Sequence, residues 1–197
     1  AFAVGSGPAA KAPADPGRPA DGALPPRWQV NYERSTIRFI AEQAGAKFEG
    51  QWTQWQARIH FSSDDLAHST ALVTVAANSA ATNDPDRDAT LATAEWFAAA
   101  TYPEVTFQAQ QFERIATTAE QPHELQAKGQ LKVKQLTVPV DFLFTVTADG
   151  PRRTLAGTAQ LDRLALGLGL GEWADPDSVG QFVTVQVLLE AEVPPEA

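Results

Sequence analysis

The chain has 197 residues, with 24 acidic side chains against 15 basic ones and a formal charge of −9. Such a surface repels phosphate backbones and weakens docking on an anionic bilayer, which disfavours nucleic acid as a partner. There is no Cys, which excludes disulfides, thiolate chemistry and cysteine-based zinc sites. No apolar run approaches the roughly 18 residues that span a membrane.

The length suits one domain with a tail. Residues 1–26 form that tail, because 18 of those 26 are Ala, Pro or Gly. Too little apolar surface is present there to offset chain entropy, so a flexible leader or spacer is expected. The chain carries no Met, and Ala1-Phe2-Ala3 has the small residues found at the end of a secretory signal peptide. Export is one reading of this N-terminus, and plain loss of Met is the other.

The folded domain is expected over 27–197, and its patterning is almost wholly of period two. Eight strands are predicted, over 28–43, 47–62, 69–80, 103–118, 123–134, 137–148, 153–164 and 180–192. The clearest alternation is Val138, Val140, Phe142, Phe144, Val146. The second strand changes phase between Phe48/Trp52 and Trp55/Ile59/Phe61, which predicts a β-bulge near Thr53-Gln54. Between strands three and four, residues 84–100 predict short helices. Thr93 would cap one running through Glu95-Trp96-Phe97, and Tyr102-Pro103 would stop it. Leu91 and Phe97 are apolar enough to plug one end of a barrel. Gln121-Pro122 and Asp149-Gly150 mark turns. The Gly-rich run 165–180 reads as a loop or lid. The fold class is therefore all-β, an eight-stranded antiparallel barrel.

No nucleophile elbow, metal cluster or phosphate loop accompanies these strands. His60, His68 and His123 lack ligand spacing and read as surface or turn residues. Asp84, Asp86 and Asp88 lack the Gly and terminal Glu of a calcium loop, so capping and pairing to Arg87 are expected. Asp162 and Arg163 are adjacent on a strand and point to opposite faces; a buried Arg163 would be a structural partner or a clamp on a polar group. What remains is the inward face. It offers Ile37, Phe39, Phe48, Trp52, Val73, Val75, Val105, Phe107, Leu131, Val133, Val140, Phe142, Phe144, Val185 and Val187. Trp55 and Trp173 lie beside breaks and suit a polar–apolar mouth. From pattern alone the interior is either packed solid or hollow. Small residues in phase with the apolar rows, Ala127 and Gly129, Gly157 and Ala159, leave volume for a guest.

Several groups, in order, resemble the YceI-like family. They begin with Trp28-x-Val30, Ser35-x-Ile37-x-Phe39 and Gly50-x-Trp52. The middle carries Arg87-Asp88-x-x-Leu91, Trp96-Phe97 and Tyr102-Pro103-x-Val105-x-Phe107. Gly129-x-Leu131-x-Val133-Lys134 and Thr137-x-Pro139-Val140 follow. Asp162-Arg163, Gly167-x-Gly169, Trp173 and Val183-x-Val185-x-Val187 close the series. The likeness covers about 28–191. It implies a lipocalin-like barrel, export to a bacterial periplasm, and an isoprenoid lipid, a quinone or polyprenyl chain, held inside as ligand rather than as catalytic cofactor. The candidate lining for such a guest, read from these in-phase rows, the plug and the breaks, is Ile37, Phe39, Phe48, Trp52, Trp55, Val75, Leu91, Phe97, Phe107, Gly129, Leu131, Val133, Val140, Phe142, Phe144, Gly157, Trp173 and Val185. Arg34, Thr90, Gln135, Ala165 and Leu166 depart from the family pattern at polar or turn positions, which leaves the head group open.

Four roles follow as expectations: a periplasmic carrier or store, an enzyme on such a lipid, an accessory to a membrane redox protein, and a ligand-free structural barrel. The enzyme would need a polar group of shifted pKa in the interior, and no in-phase His, Glu or Lys pair supplies one.

Overall fold

The computed structural model describes residues 22–195. Most of the expected leader, residues 1–21, lies outside the described residues, as do the last two residues.

The chain opens with β1 (Gln29–Gln43) and β2 (Ala46–Trp52), joined by Ala44-Gly45 with φ of 50° and 76°. Next come β3 (Trp55–His60), β4 (Thr70–Ala76) and β5 (Ala80–Ala81). Helix α1 (Pro85–Leu91) leads to β6 (Glu104–Arg114), β7 (Leu125–Val133), β8 (Leu136–Asp149), β9 (Arg152–Asp162) and β10 (Phe182–Glu192). All pairings are antiparallel, in one sheet ordered β3-β4-β6-β7-β8-β9-β10-β1-β2-β5.

The strand number among the described residues is thus ten, not eight, and the difference arises at one corner. The expected second strand breaks at Thr53-Gln54 into β2, which pairs with β1, and β3, which pairs with β4. The expected third strand breaks at 77–79 into β4 and β5, and β5 returns to β2. Cross-bonds pin the corner: Thr53 N donates to Ser79 O at 3.0 Å, and Ala76 N donates to Gln54 O at 2.9 Å. The change of phase is therefore a change of partner strand rather than a bulge. The observed register slips lie instead in β1, between Asn31 and Thr36, and in β6, between Ala109 and Gln111. Both increase local twist, which a sheet needs in order to curl. The curled sheet brings the start of β1 to β3, where Arg27 bridges His60 and Trp28 N donates to Ile59 O at 2.9 Å. This architecture is consistent with a lipocalin-like barrel.

The segment between β5 and β6 is also corrected. Its single α-helix starts earlier than expected, because Asp84 rather than Thr93 is the cap. The Asp84 carboxylate accepts from the amides of Asp86 and Arg87. Thr93 instead donates its hydroxyl to Thr90 O at 2.6 Å, and residues 92–101 run as turns.

The two ends of the interior differ. One is stoppered by aromatics: Phe61 packs against Phe112, Phe144 and Trp28 at centroid distances of 5.4, 5.5 and 5.9 Å. The Trp28 indole N–H is satisfied there by Phe61 O at 3.0 Å. At the other end sit α1, the 92–101 turns and the 163–181 loop.

Candidate functional site

The interior holds two apolar chambers. The deep one, about 200 Å³, is lined by inward residues of β1 to β4 and β6 to β10. The outer one, about 300 Å³, lies under α1 and the 163–181 loop. Trp52, Phe97, Leu161, Leu166, Leu168 and Val185 belong to both walls, so the chambers are neighbours along one axis. Trp52 and Phe97 meet edge-on, with centroids 5.0 Å apart and planes at 89°. The outer volume sits at the foot of the range for ligand pockets and the deep one below it.

Most of the expected lining faces this space. Ile37, Trp55, Val75, Phe107, Leu131, Val133, Val140, Phe142 and Phe144 wall the deep chamber. Phe39, Phe48, Leu91 and Trp173 wall the outer one, and Trp52, Phe97 and Val185 wall both. Trp55 does not sit at the mouth as expected. It stands by the corner, where its ring meets Tyr32 at 5.0 Å and separates the deep chamber from an open polar cleft.

Gly129 and Gly157 line neither chamber, which corrects their expected part. The space above each is occupied by an aromatic ring. A Cβ at Gly129 would lie 2.4 Å from the Phe107 ring, and one at Gly157 would lie 2.3 Å from Phe142. These glycines let two phenylalanines lie flat against the wall, so Phe at either position would meet a ring or backbone rather than a void. The small residues that do border the deep chamber are Ala127 and Ala159.

Leu166 and Leu168 were missed by strand periodicity because they lie in a loop. Their signal is nonetheless present, since Leu166, Leu168 and Leu170 alternate with Gly167, Gly169 and Gly171. Leu166 and Leu168 are buried and cap the interior, while Leu170 is exposed.

Arg163 organises this cap. It is 1 % exposed and meets no carboxylate. Its five N–H groups go to five backbone carbonyls: Nε to Gly180, Nη1 to Leu168 and Gly169, Nη2 to Trp173 and Val179, at 2.6 to 3.0 Å. Burial pushes the guanidinium pKa down, partly offset by Asp162. Every donor is used, so Arg163 shapes the loop and has none to spare for a ligand.

Asp162 secures the root of the same loop. It accepts from the amides of Leu164 and Ala165 and from the Gln181 side chain. Burial would raise its pKa; the Gln181 amide, the two backbone amides and the Arg163 charge together hold it below the usual carboxylate value. Lys134, at a turn with φ of 53°, donates to Gly167 O at 2.6 Å, and burial lowers its pKa.

The loop also clasps the 92–101 turns. Gly169 N donates to Glu95 O at 2.8 Å, Trp173 Nε1 donates to Glu95 Oε2 at 2.8 Å, and the Trp96 and Trp173 rings lie 6.2 Å apart. At the rim, Arg87 lies 4.0 Å over the Phe48 ring and donates to Gln43 Oε1. Asp88 accepts from the amide and hydroxyl of Thr82. Asp84 therefore caps α1 and Asp88 tethers it.

The histidines are spoken for locally: His60 by Pro25 O, His68 by Asp65 and His123 by Thr145. Among the described residues, no three His, Cys, Asp or Glu side chains gather as a metal site, and no helix is long and apolar enough to cross a membrane. What the arrangement can do chemically is enclose an apolar chain, with polar groups only at its outer end.

Comparison with curated proteins gives no match. Among solved structures, the chain is similar to BcnA of Burkholderia cenocepacia, with 27% identity, a TM-score of 0.72, and coverage of 83% of this chain and 99% of that one. A structure described as a polyisoprenoid binding domain from Saccharophagus degradans, implicated in plant cell wall breakdown, shares the fold at 13% identity and a TM-score of 0.65, covering 87% and 100% of the two chains. The YceI protein of Campylobacter jejuni does so at 17% identity and 0.61, covering 76% and 86%. The model of the YceI-like domain matches residues 28–191, and the chain belongs to the YceI-like family.

Proposed function

We propose that this protein binds an isoprenoid lipid, a quinone or a polyprenyl chain, inside the barrel. It would serve in the periplasm as a carrier, a store or an accessory to a membrane redox protein. The observation that carries the reading is the pair of apolar chambers on one axis, stoppered at one end and capped by a polar-rooted loop at the other. The polyisoprenoid-binding description of the Saccharophagus neighbour supports the same class of ligand.

The energetics suit a carrier. Burying a CH₂ from water is worth about 0.8 kcal/mol, so a long tail taken from water would exceed the affinities that real complexes reach. An isoprenoid starts in a bilayer, already out of water. Transfer into an apolar barrel is then nearly neutral, and uptake is readily reversed. Head-group contacts and the cap are left to set specificity. A binding role rather than catalysis is proposed, since the deep chamber is walled by apolar side chains and Arg163, the buried cation, is wholly committed to backbone carbonyls.

The test is extraction of lipid from protein purified without detergent, read by mass spectrometry. About one isoprenoid per chain is expected. A barrel that never carries an isoprenoid, even after incubation with isoprenoid-loaded vesicles, would overturn the proposal.

A further inference from the structure

Outside the barrel, at the corner where β2 gives way to β3, lies an open cleft of about 780 Å³. That volume is within the range of small-molecule sites. The cleft shares only Trp52 and Trp55 with the deep chamber, so it is a separate place on the molecule.

One wall of the cleft is a tyrosine held in position. β1 sets residues 32–35 opposite Leu189 alone of β10. Buried Ser35 fixes this detour: its hydroxyl donates to Asn31 O at 2.6 Å and accepts from Glu190 N at 3.0 Å. The detour carries Tyr32 across to β3. There its hydroxyl accepts from Ala57 N at 3.2 Å, and its ring meets Trp55 at 5.0 Å and 61°. Tyr32 is thus anchored by its hydroxyl and by its ring, yet it stays 47 % exposed. A guest that stacks on it meets a ring already ordered, which lowers the entropy lost on binding.

The remaining walls are polar and nearly uncharged. Gln51, Gln54, Gln56 and Asn78 stand exposed on them, from β2, the corner, β3 and the turn before β5. Each amide offers two donors and one acceptor oxygen. Glu104 is the one charged residue of the lining among the described residues. Phosphates and carboxylates want a guanidinium fork or a cluster of cations, and here they would face a carboxylate. A sugar fits both features. Its rim of hydroxyls donates and accepts, as amides do, and its C–H face carries weakly positive hydrogens that suit the negative face of an aromatic ring.

We infer that this cleft binds a neutral oligosaccharide, with Tyr32 as the stacking platform and the amides of Gln51, Gln54, Gln56 and Asn78 reading its hydroxyls. The site stands apart from the isoprenoid reading, and its failure would leave that reading untouched.

The test uses the full chain with cellotriose, maltotriose, mannotriose and, as the acidic counterpart, trigalacturonate. Binding is detected by saturation-transfer NMR and measured by calorimetry. At least one neutral trisaccharide is expected to bind with a Kd of about 1 mM or tighter, and trigalacturonate about tenfold more weakly than that one. Tyr32→Ala should weaken the neutral sugar about fivefold, and the double variant Gln54→Ala/Gln56→Ala about threefold. The two glutamines are exposed, so the double variant keeps the question open to measurement should Tyr32→Ala not fold. Three neutral sugars that all fail to bind at about tenfold that Kd would overturn the inference. So would wild-type affinity in either folded variant, or trigalacturonate binding as tightly as the neutral sugars.

Discussion

The Trp52 and Phe97 rings meet at 89° with centroids 5.0 Å apart, and these two rings stand on the walls of both chambers. Trp52 ends a strand, whereas Phe97 comes from the 92–101 turns. Both rings stand where the two chambers adjoin. Phe97→Ala should join the chambers. It should cost about 3 kcal/mol of unfolding free energy in lipid-free protein, because a buried ring is removed and a cavity is left. A bound isoprenoid should restore much of that loss, since a ligand that binds only the folded state stabilises it. Denaturant titrations with and without lipid check both parts.

Glu95 joins the two halves of the cap through Trp173 and Gly169. Only the carboxylate contact can be removed by substitution, and it is solvent-exposed. Glu95→Ala should therefore leave stability within about 1 kcal/mol of wild type. It should speed lipid release about two- to tenfold, measured as transfer of a fluorescent isoprenoid to acceptor vesicles.

Arg163 satisfies five carbonyls that have no other described donor nearby. Lys offers three hydrogens on one atom and cannot reproduce that fan of contacts. Arg163→Lys should destabilise the protein by about 3 kcal/mol or more, as buried carbonyls lose their donors. Hydrogen exchange should accelerate first across 164–180, ahead of the strands.

Asp162 yields a pH dependence. Its pKa is held below the unfolded value, so the folded state takes up this proton less readily than the unfolded chain. The stability it contributes is present above the unfolded pKa of about 3.9 and is lost as pH falls through the folded one. Asp162→Asn keeps a side-chain acceptor but never carries the charge. The stability gap between wild type and Asp162→Asn should be open at pH 7 and should close below about pH 4, read from denaturation midpoints across that range.

The barrel was legible in the sequence because its strands alternate strictly and the inward positions are large and apolar. Val138 to Val146 shows this most plainly, and that row faces inward as expected. The corner was less legible. Apolar residues at Trp52 and Trp55 signal a change of phase but not a change of partner strand, since pairing leaves no mark on a single strand. Glycines misled for a different reason. In the sequence Gly129 and Gly157 suggest empty volume, yet the missing side chains make room for Phe107 and Phe142, which come from neighbouring strands. The cap was least legible, because Arg163 binds backbone carbonyls, and a carbonyl has no residue type to betray it.

Occupancy of the interior is the central claim, and Ala159 tests it most directly. Its methyl borders the deep chamber, and a ring there would occupy space that a lipid tail needs. Overpacking should cost about 1–3 kcal/mol and leave the barrel folded by circular dichroism. Wild type and Ala159→Phe are purified side by side without detergent, loaded from the same isoprenoid vesicles, and extracted for mass spectrometry. About one isoprenoid per wild-type chain and a small fraction of that in Ala159→Phe is the expected result; equal amounts in the two, or none in the wild type, would contradict it.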